Sequence, residues 1–264
     1  MSLNPAYEIL PGDPACGLVL LADHATNRLP ADYGSLGLPP EAFERHIAYD
    51  IGVEALTRSL SARLGAPAVM SRFSRLLIDP NRGEDDPTLI MRISDGAIIP
   101  ANHPLSAEEQ RVRIERFHRP YHQAVSEVIA ETERASGRAA LVLSLHSYTP
   151  HWKGVARPWQ AAVLWDSDPR AAMRLISALR DIDGVIVGDN EPYDGALSGD
   201  TMHRHCTVAG RPHALLEVRQ DEIATDDGVA LWADRLTPVF TALNDEPDLH
   251  RIEIFPSRTD RIWA

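Results

Sequence analysis

Four short apolar runs in this 264-residue chain each end on a residue able to bind a metal or move a proton. Leu18 to Leu21 runs into Asp23 and His24, Leu76 to Ile78 into Asp79, Leu141 to Leu145 into His146, and Ala214 to Leu216 into Glu217. Continuous apolar runs of this length read as strands buried on both faces of a parallel sheet. In open α/β sheets ligands sit at the carboxyl ends of the strands. The pattern therefore predicts an α/β enzyme with one polar pocket fed by several strand ends. Strands that merely stop in solvent end as readily on Ser, Thr or Gly, and it is the run of acids and histidines that argues for a shared site.

The length suits a single α/β domain with one large core, and the expected domain is residues 1–264. A net charge of -12, without a block of Lys or Arg, argues against a nucleic-acid partner. Lys153 is the only lysine, so nearly all positive charge is Arg, which grips carboxylates with a planar fork. Two cysteines, Cys16 and Cys206, are too few for a disulfide framework or a Cys-rich zinc site. Leu18 to Ala22 is too short for a signal-peptide core and lacks a basic lead, and no run approaches a membrane span. A cytoplasmic enzyme with reduced thiols is expected, acting on a small molecule without a membrane partner; a homo-oligomer is compatible with the sequence.

Strand and helix signals alternate along the chain. Strands are expected at Gly17 to Ala22, Ala68 to Ser71, Leu76 to Asp79, Ala139 to His146, Ala161 to Trp165, Val185 to Val187 and Ala214 to Val218. Helices are expected near Pro40 to Leu64, Ala107 to Ser136, Pro169 to Arg180 and Asp227 to Leu243. Ser106 with Glu109 reads as a capping box, Pro120 should break or kink the second helix near Arg119, and Gly137 stops it. Pro80 to Pro104 is a long irregular stretch of the kind that forms a lid or binding loop. The segment after Pro192 reads as loop, then a helical or irregular piece to Gly210.

His24 and His146 each lie at a strand exit and are of the residue type that most often ligates catalytic zinc, which takes three protein ligands and keeps a position open. Asp23 neighbours His24 and would point away from it in a continuing strand, so Asp50 is the preferred third ligand; its ordinary role would be an exposed helix carboxylate. Glu217, at the rim of an apolar strand, suits a general base with a raised pKa; the bland alternative is an ion pair with Arg219. His118 and His122 are four apart but flank Pro120 and lack a zincin glutamate, so they read as a polar face or as support behind the site. His203 and His205 read as solvated loop residues. Arg75, Asp79, Asn81 and Arg82 offer an amide and guanidinium groups to a carboxylate, although a turn after a strand holds such residues for backbone reasons too.

Asp23-His24-Ala25-Thr26-Asn27, Tyr49-Asp50, Ser74-Arg75 through Asp79-Pro80-Asn81-Arg82, Pro120-Tyr121-His122, Leu145-His146-Ser147-Tyr148 and Leu216-Glu217-Val218-Arg219, taken in order, resemble the N-formylglutamate amidohydrolase family. The resemblance spans roughly Leu20 to Arg219. It implies a mixed, mainly parallel sheet flanked by helices, phosphorylase/hydrolase-like, with the core of zinc carboxypeptidases and aspartoacylase-like deacylases. It further implies a zinc-dependent amidohydrolase that cleaves an N-acyl amino acid, N-formyl-L-glutamate to formate and glutamate, with one Zn2+ per chain or another divalent ion in its place. His24 matches the first metal ligand, His146 the later one, Asp79, Asn81 and Arg82 the carboxylate-binding segment, and Glu217 the base. Arg75, Arg72 and Arg219 are candidates for a second carboxylate. Asn27 stands where the relatives' His-x-x-Glu motif has its glutamate, and Asn is a poor zinc ligand, which leaves the third position to Asp50. Another N-acyl amino acid or a small peptide is an alternative substrate, since Trp152 and Trp159 could wall a larger acyl group; a non-catalytic metal- or solute-binding protein on the same fold is the alternative outside enzymology.

Overall fold

The computed structural model describes residues 5–261. A seven-stranded sheet runs through its centre in the order β1-β3-β2-β6-β11-β9-β10. These strands are β1 (Tyr7–Leu10), β2 (Leu18–Ala22), β3 (Ala68–Ser71), β6 (Leu141–Tyr148), β9 (Ala161–Leu164), β10 (Val187–Asp189) and β11 (His213–Arg219). The central strands β3, β2, β6 and β11 are mutually parallel, β1 pairs antiparallel with β3 at one edge, and β9 with β10 runs antiparallel to β11 at the other. Two hairpins stand apart, β4 (Ile93–Ser94) with β5 (Ala97–Ile98), and β7 (His151–Trp152) with β8 (Val155–Ala156). The fold is a single-domain α/β arrangement with a mixed, mainly parallel sheet.

The strands are apolar throughout because helices or packed loops cover both faces. In β2, Leu18, Leu20 and Ala22 meet one core while Val19 and Leu21 meet the other, so alternation puts every side chain in an apolar layer. The first layer is closed by α1 (Val53–Leu64), α4 (Pro169–Arg180) and α7 (Asp226–Asn244). The second is closed by α3 (Arg119–Ser136) and by residues of the long segment after Ser74, including Leu77, Leu89 and Ile99. Asp168 and Thr225 cap α4 and α7 by accepting the Arg170 and Gly228 amides, and Gly65 and Gly137 end α1 and α3 in the left-handed conformation. No described helix is long and apolar enough to cross a membrane.

Several elements differ from the sequence reading, and tertiary contacts explain why. Leu76 to Asp79 is fully buried but forms turns rather than a strand, with Leu77 N–H bonded to Ser74 O and Asp79 N–H to Leu89 O. The expected helix from Pro40 splits into a short 3-10 turn, Pro40–Glu44, and α1, because Gly52 lies at φ +83. A Cβ at Gly52 would sit 2.2 Å from Ile223 O, so this close approach requires glycine. Asp50 is thereby placed on a buried connection ahead of α1 and not on an exposed helix face. Pro120 does not break its helix: α2 (Ala107–Arg113) passes through a π-helical turn, Ile114–His118, and Pro120 falls in the first turn of α3, where its missing N–H is tolerated. Ser106 accepts the Glu109 amide, but Glu109 bonds Arg113, so only half of the capping box forms. Pro80 to Pro104 is a packed segment whose Leu89, Ile90 and Ile99 lie in the core.

Candidate active site

Asp23 and His24 follow β2, His146 and Ser147 are on β6, and Glu217 is on β11, so three neighbouring parallel strands deliver them to one end of the sheet. His146 and Glu217 are directly opposed in the β6–β11 ladder and therefore share a face. His24 Nδ1 lies 3.4 Å and His146 Nδ1 2.8 Å from Asp50 Oδ2. The two rings meet edge to face with centroids 5.0 Å apart. One donor atom from each of His24, Asp50 and His146 lies within 4.8 Å of the others, all three residues being buried.

The opposite ring nitrogens are each held by a carboxylate. His24 Nε2–H donates to Asp79 Oδ1 at 2.7 Å, and His146 Nε2–H donates to Asp23 Oδ2 at 3.0 Å. With a cation in place of the Nδ1–H contacts to Asp50, this orientation would leave both Nδ1 atoms as ligands aimed at the same place, the arrangement by which metal-binding histidines are oriented. Burial alone would raise Asp23, Asp50 and Asp79, yet the His146 and His24 contacts hold Asp23 and Asp50, and Arg75 with His24 holds Asp79, below the usual carboxylate range. Burial opposes protonation of His146, but Asp23 and Asp50 raise it well above the ordinary imidazole value. Three buried carboxylates around two imidazoles and one guanidinium make a site with excess negative charge. A divalent cation among His24 Nδ1, Asp50 Oδ2 and His146 Nδ1 would neutralise it, so the donor set fits a metal.

These residues line a cavity of about 350 Å³ together with Arg75, Asn81, Arg82, Tyr148, Tyr193, Asp200 and Glu217. Glu217 is buried, its Oε2 has no hydrogen-bond partner among the described residues, and burial pushes its pKa up to about 7 against the pull of His146. Arg75 donates to Asp79 Oδ2 from Nε at 3.2 Å and Nη2 at 2.8 Å and lies 3.5 Å from Asp50 Oδ1. Asn81 Oδ1 accepts the Thr201 amide at 3.1 Å, which turns the Asn81 Nδ2 donor elsewhere, and Arg82 reaches Asn81 O and Thr88 Oγ1.

Two residues expected at the substrate are placed otherwise. Asp79 does not line the cavity; its oxygens accept from His24, Arg75 and the Asn81 amide, which fixes the orientation of those groups. Arg219 is also outside the cavity lining, because its guanidinium is engaged by Asp221, Glu222 and the carbonyls of Arg157 and Trp159. Neither Trp152 nor Trp159 lines the cavity.

Other supports lie behind the site, His118 and His122 among them as the sequence reading expected, whereas Ser144, Thr201 and His205 were not singled out for such a role. Asp23 takes four hydrogen bonds, from His146, Ser144, Tyr121 and Thr201. Thr201 opens α5 (Thr201–His205), whose His205 is buried and stacked on His122, contrary to the solvated loop expected. His122 Nε2–H donates to Pro80 O at 2.9 Å and His118 Nε2–H to Arg82 O at 2.9 Å, so both histidines brace the segment carrying Asn81 and Arg82. Only the fold brings these distant positions together.

A family model described as N-formylglutamate amidohydrolase matches residues 16–224. The chain belongs to the N-formylglutamate amidohydrolase family. A gene product of Agrobacterium tumefaciens is 31% identical, with a TM-score of 0.83 over 90% of this chain and 94% of that one. An N-formylglutamate amidohydrolase from Ralstonia eutropha JMP134 has the same fold at 24% identity, with a TM-score of 0.70 over 92% of this chain and 97% of the other. No curated protein matches. The family match ends at residue 224, beyond Glu217 and before α7, so the carboxylate opposed to His146 lies inside the part shared with other N-formylglutamate amidohydrolase family members.

Proposed function

We propose that the protein is a zinc-dependent amidohydrolase, one catalytic domain that cleaves the amide bond of an N-acyl amino acid, with N-formyl amino acids as the first class to test. The reading rests above all on the convergence of His24 Nδ1, Asp50 Oδ2 and His146 Nδ1 beside the unpartnered carboxyl of Glu217. His24, Asp50 and His146 would hold the metal ion, which when bound would supply Lewis acidity to the amide carbonyl. Glu217 takes a proton from the attacking water as its oxygen bonds to the carbonyl carbon, then returns that proton to the departing nitrogen as the C–N bond breaks. A carboxyl pushed to about 7 is matched to both halves of that cycle near neutral pH. Asn81 and Arg82 hold the α-carboxylate, and Arg75, pinned by Asp79, presents a fixed positive charge to the same cavity.

The test is the metal content of the purified protein and of His146→Ala, with hydrolysis of N-formyl, N-acetyl and N-succinyl amino acids followed by amine release. About one zinc per chain, a large loss in the variant and turnover abolished by a chelator are expected. Absence of metal together with turnover indifferent to chelator and to added zinc would overturn the reading.

A further inference from the structure

Three arginines are buried among the described residues, and two of them are paired with an acid. Arg113 meets Glu109 and Arg170 meets Asp168. Arg157, 8% exposed, forms no ion pair with a described carboxylate. It directly follows β8, where its amide donates to Pro150 O at 2.8 Å and closes the hairpin that comes after β6. Its guanidinium stacks on the rings of Tyr148, Trp152 and Tyr193, with Cζ 5.0 to 5.7 Å from their centroids. Ring faces relieve part of the cost of burying a cation, but they do not neutralise it.

The hydrogen bonds of Arg157 lead to the cavity. Nη1 donates to Thr149 O at 3.2 Å and Thr149 Oγ1 at 3.0 Å, and Nη2 donates to Tyr193 Oη at 2.9 Å. Tyr148, Thr149 and Tyr193 all line the cavity that holds His24, His146 and Glu217. Tyr148 Oη and Thr149 Oγ1 give their protons to Trp159 O and His151 O. Tyr193 Oη accepts from Arg157, and no described group accepts its own proton. A phenol that accepts from a guanidinium is a stronger donor in turn, so an accessible O–H backed by a buried positive charge is matched to an anion.

The other cations are engaged. Arg72 is held by Glu8 and Glu54, Arg75 by Asp79 and Asp50, and Arg219 by Asp221 and Glu222. Of the two acids that line the same cavity beyond Tyr193, Asp194 is held by Arg258, which donates to it from Nη1 at 2.9 Å, and Asp200 feels the positive charges of Arg82 and His146. We infer that Arg157 and Tyr193 receive the side-chain carboxylate of an acidic N-acyl amino acid: Tyr193 Oη–H donates to it, and Arg157 is the positioning residue whose charge and hydrogen bond fix that phenol. Asn81 and Arg82 remain for the α-carboxylate. The inference rests on the amidohydrolase reading for its substrate class, and its test separates the two.

N-formyl-L-glutamate is compared with its near-isostere N-formyl-L-glutamine in the parent, Arg157→Gln, Arg157→Lys and Tyr193→Phe, with metal content measured in each. The parent should favour glutamate in kcat/KM by about tenfold or more. Arg157→Gln and Tyr193→Phe should each shrink that ratio about fivefold or more by slowing glutamate, while glutamine changes less than about threefold. Arg157→Lys, which keeps the charge and loses the planar fork, should retain more of the ratio than Arg157→Gln. A parent without preference for glutamate, or variants that slow both compounds alike, would overturn the inference, since a merely structural arginine acts on both equally. Should Arg157→Gln not fold, Tyr193→Phe carries the test, because it removes only an accessible hydroxyl. Calorimetric binding of the same two compounds reads the ratio without turnover. Selective binding that the variants lose, with no hydrolysis, would sustain the role of this pair while overturning the hydrolase, and binding of neither would overturn both.

Discussion

Replacing Asp23 by Asn probes whether Nδ1 is the ligating nitrogen of His146. Asp23 Oδ2 accepts from His146 Nε2 at 3.0 Å and Ser144 Oγ at 3.3 Å, while Oδ1 accepts from Tyr121 Oη at 2.8 Å and Thr201 Oγ1 at 2.7 Å. An amide accepts on one side only. If its oxygen stays with Tyr121 and Thr201, its N–H group faces His146 Nε2 and drives the imidazole to the Nδ1–H tautomer, which puts a proton on the nitrogen aimed at Asp50. Loss of a carboxylate behind a metal-binding histidine costs about tenfold to hundredfold in metal affinity, or about 1.4–2.8 kcal/mol. The assay is zinc competition against a fluorescent chelator, with thermal unfolding of the metal-free variant to show that it still folds cooperatively. Zinc affinity within about twofold of the parent, in a folded variant, would refute the tautomer assignment.

Glu217→Gln should lower kcat by about 10²-fold or more while metal content stays at the parental level, measured by steady-state kinetics and mass spectrometry. With Glu217 ionised above about 7 and neutral below, kcat/KM of the parent should fall as pH drops through that value. The same raised pKa has the opposite sign for stability: the metal-free fold binds this proton more tightly than the unfolded chain, so its contribution is full below the ordinary glutamate value of 4.5 and is lost as pH rises through about 7, visible as a lower urea midpoint. Arg82→Ala should raise KM by about tenfold or more and Arg219→Ala by less than about threefold, since only the first lines the cavity; equal effects would contradict that placement. Gly52→Ala, which sets a Cβ 2.2 Å from Ile223 O at a positive φ, should cost about 2 kcal/mol or more by urea unfolding.

The strands that carry the site were legible because a two-sided environment demands uninterrupted apolar residues, and β2, β6 and β11 lie within a residue or two of where the apolar runs place them. Helix α4 has the expected limits, Pro169–Arg180, because Asp168 and Pro169 are local start signals. Edge strand β1 was missed, being short and paired on one side only. Leu76 to Ile78 misled because burial alone makes a run apolar, and whether its amides join a ladder or a turn depends on what packs beside them.

Residue type and spacing alone determined the α/β class and the strand ends that bear His24, His146 and Glu217, while the ordered motifs carried the resemblance to the family. These are local matters: burial on two faces writes an apolar run, and its end is visible in the sequence. The tertiary structure alone decided what each polar group does. It set Asp50 against both Nδ1 atoms, turned Asp79 and Asp23 to the far sides of the rings, drew Arg219 out of the cavity and brought Thr201 against Asp23, 178 positions away. Side-chain role follows from partner and direction, and for residues joined only by the crossing of distant segments neither is encoded in any stretch of sequence that can be read alone.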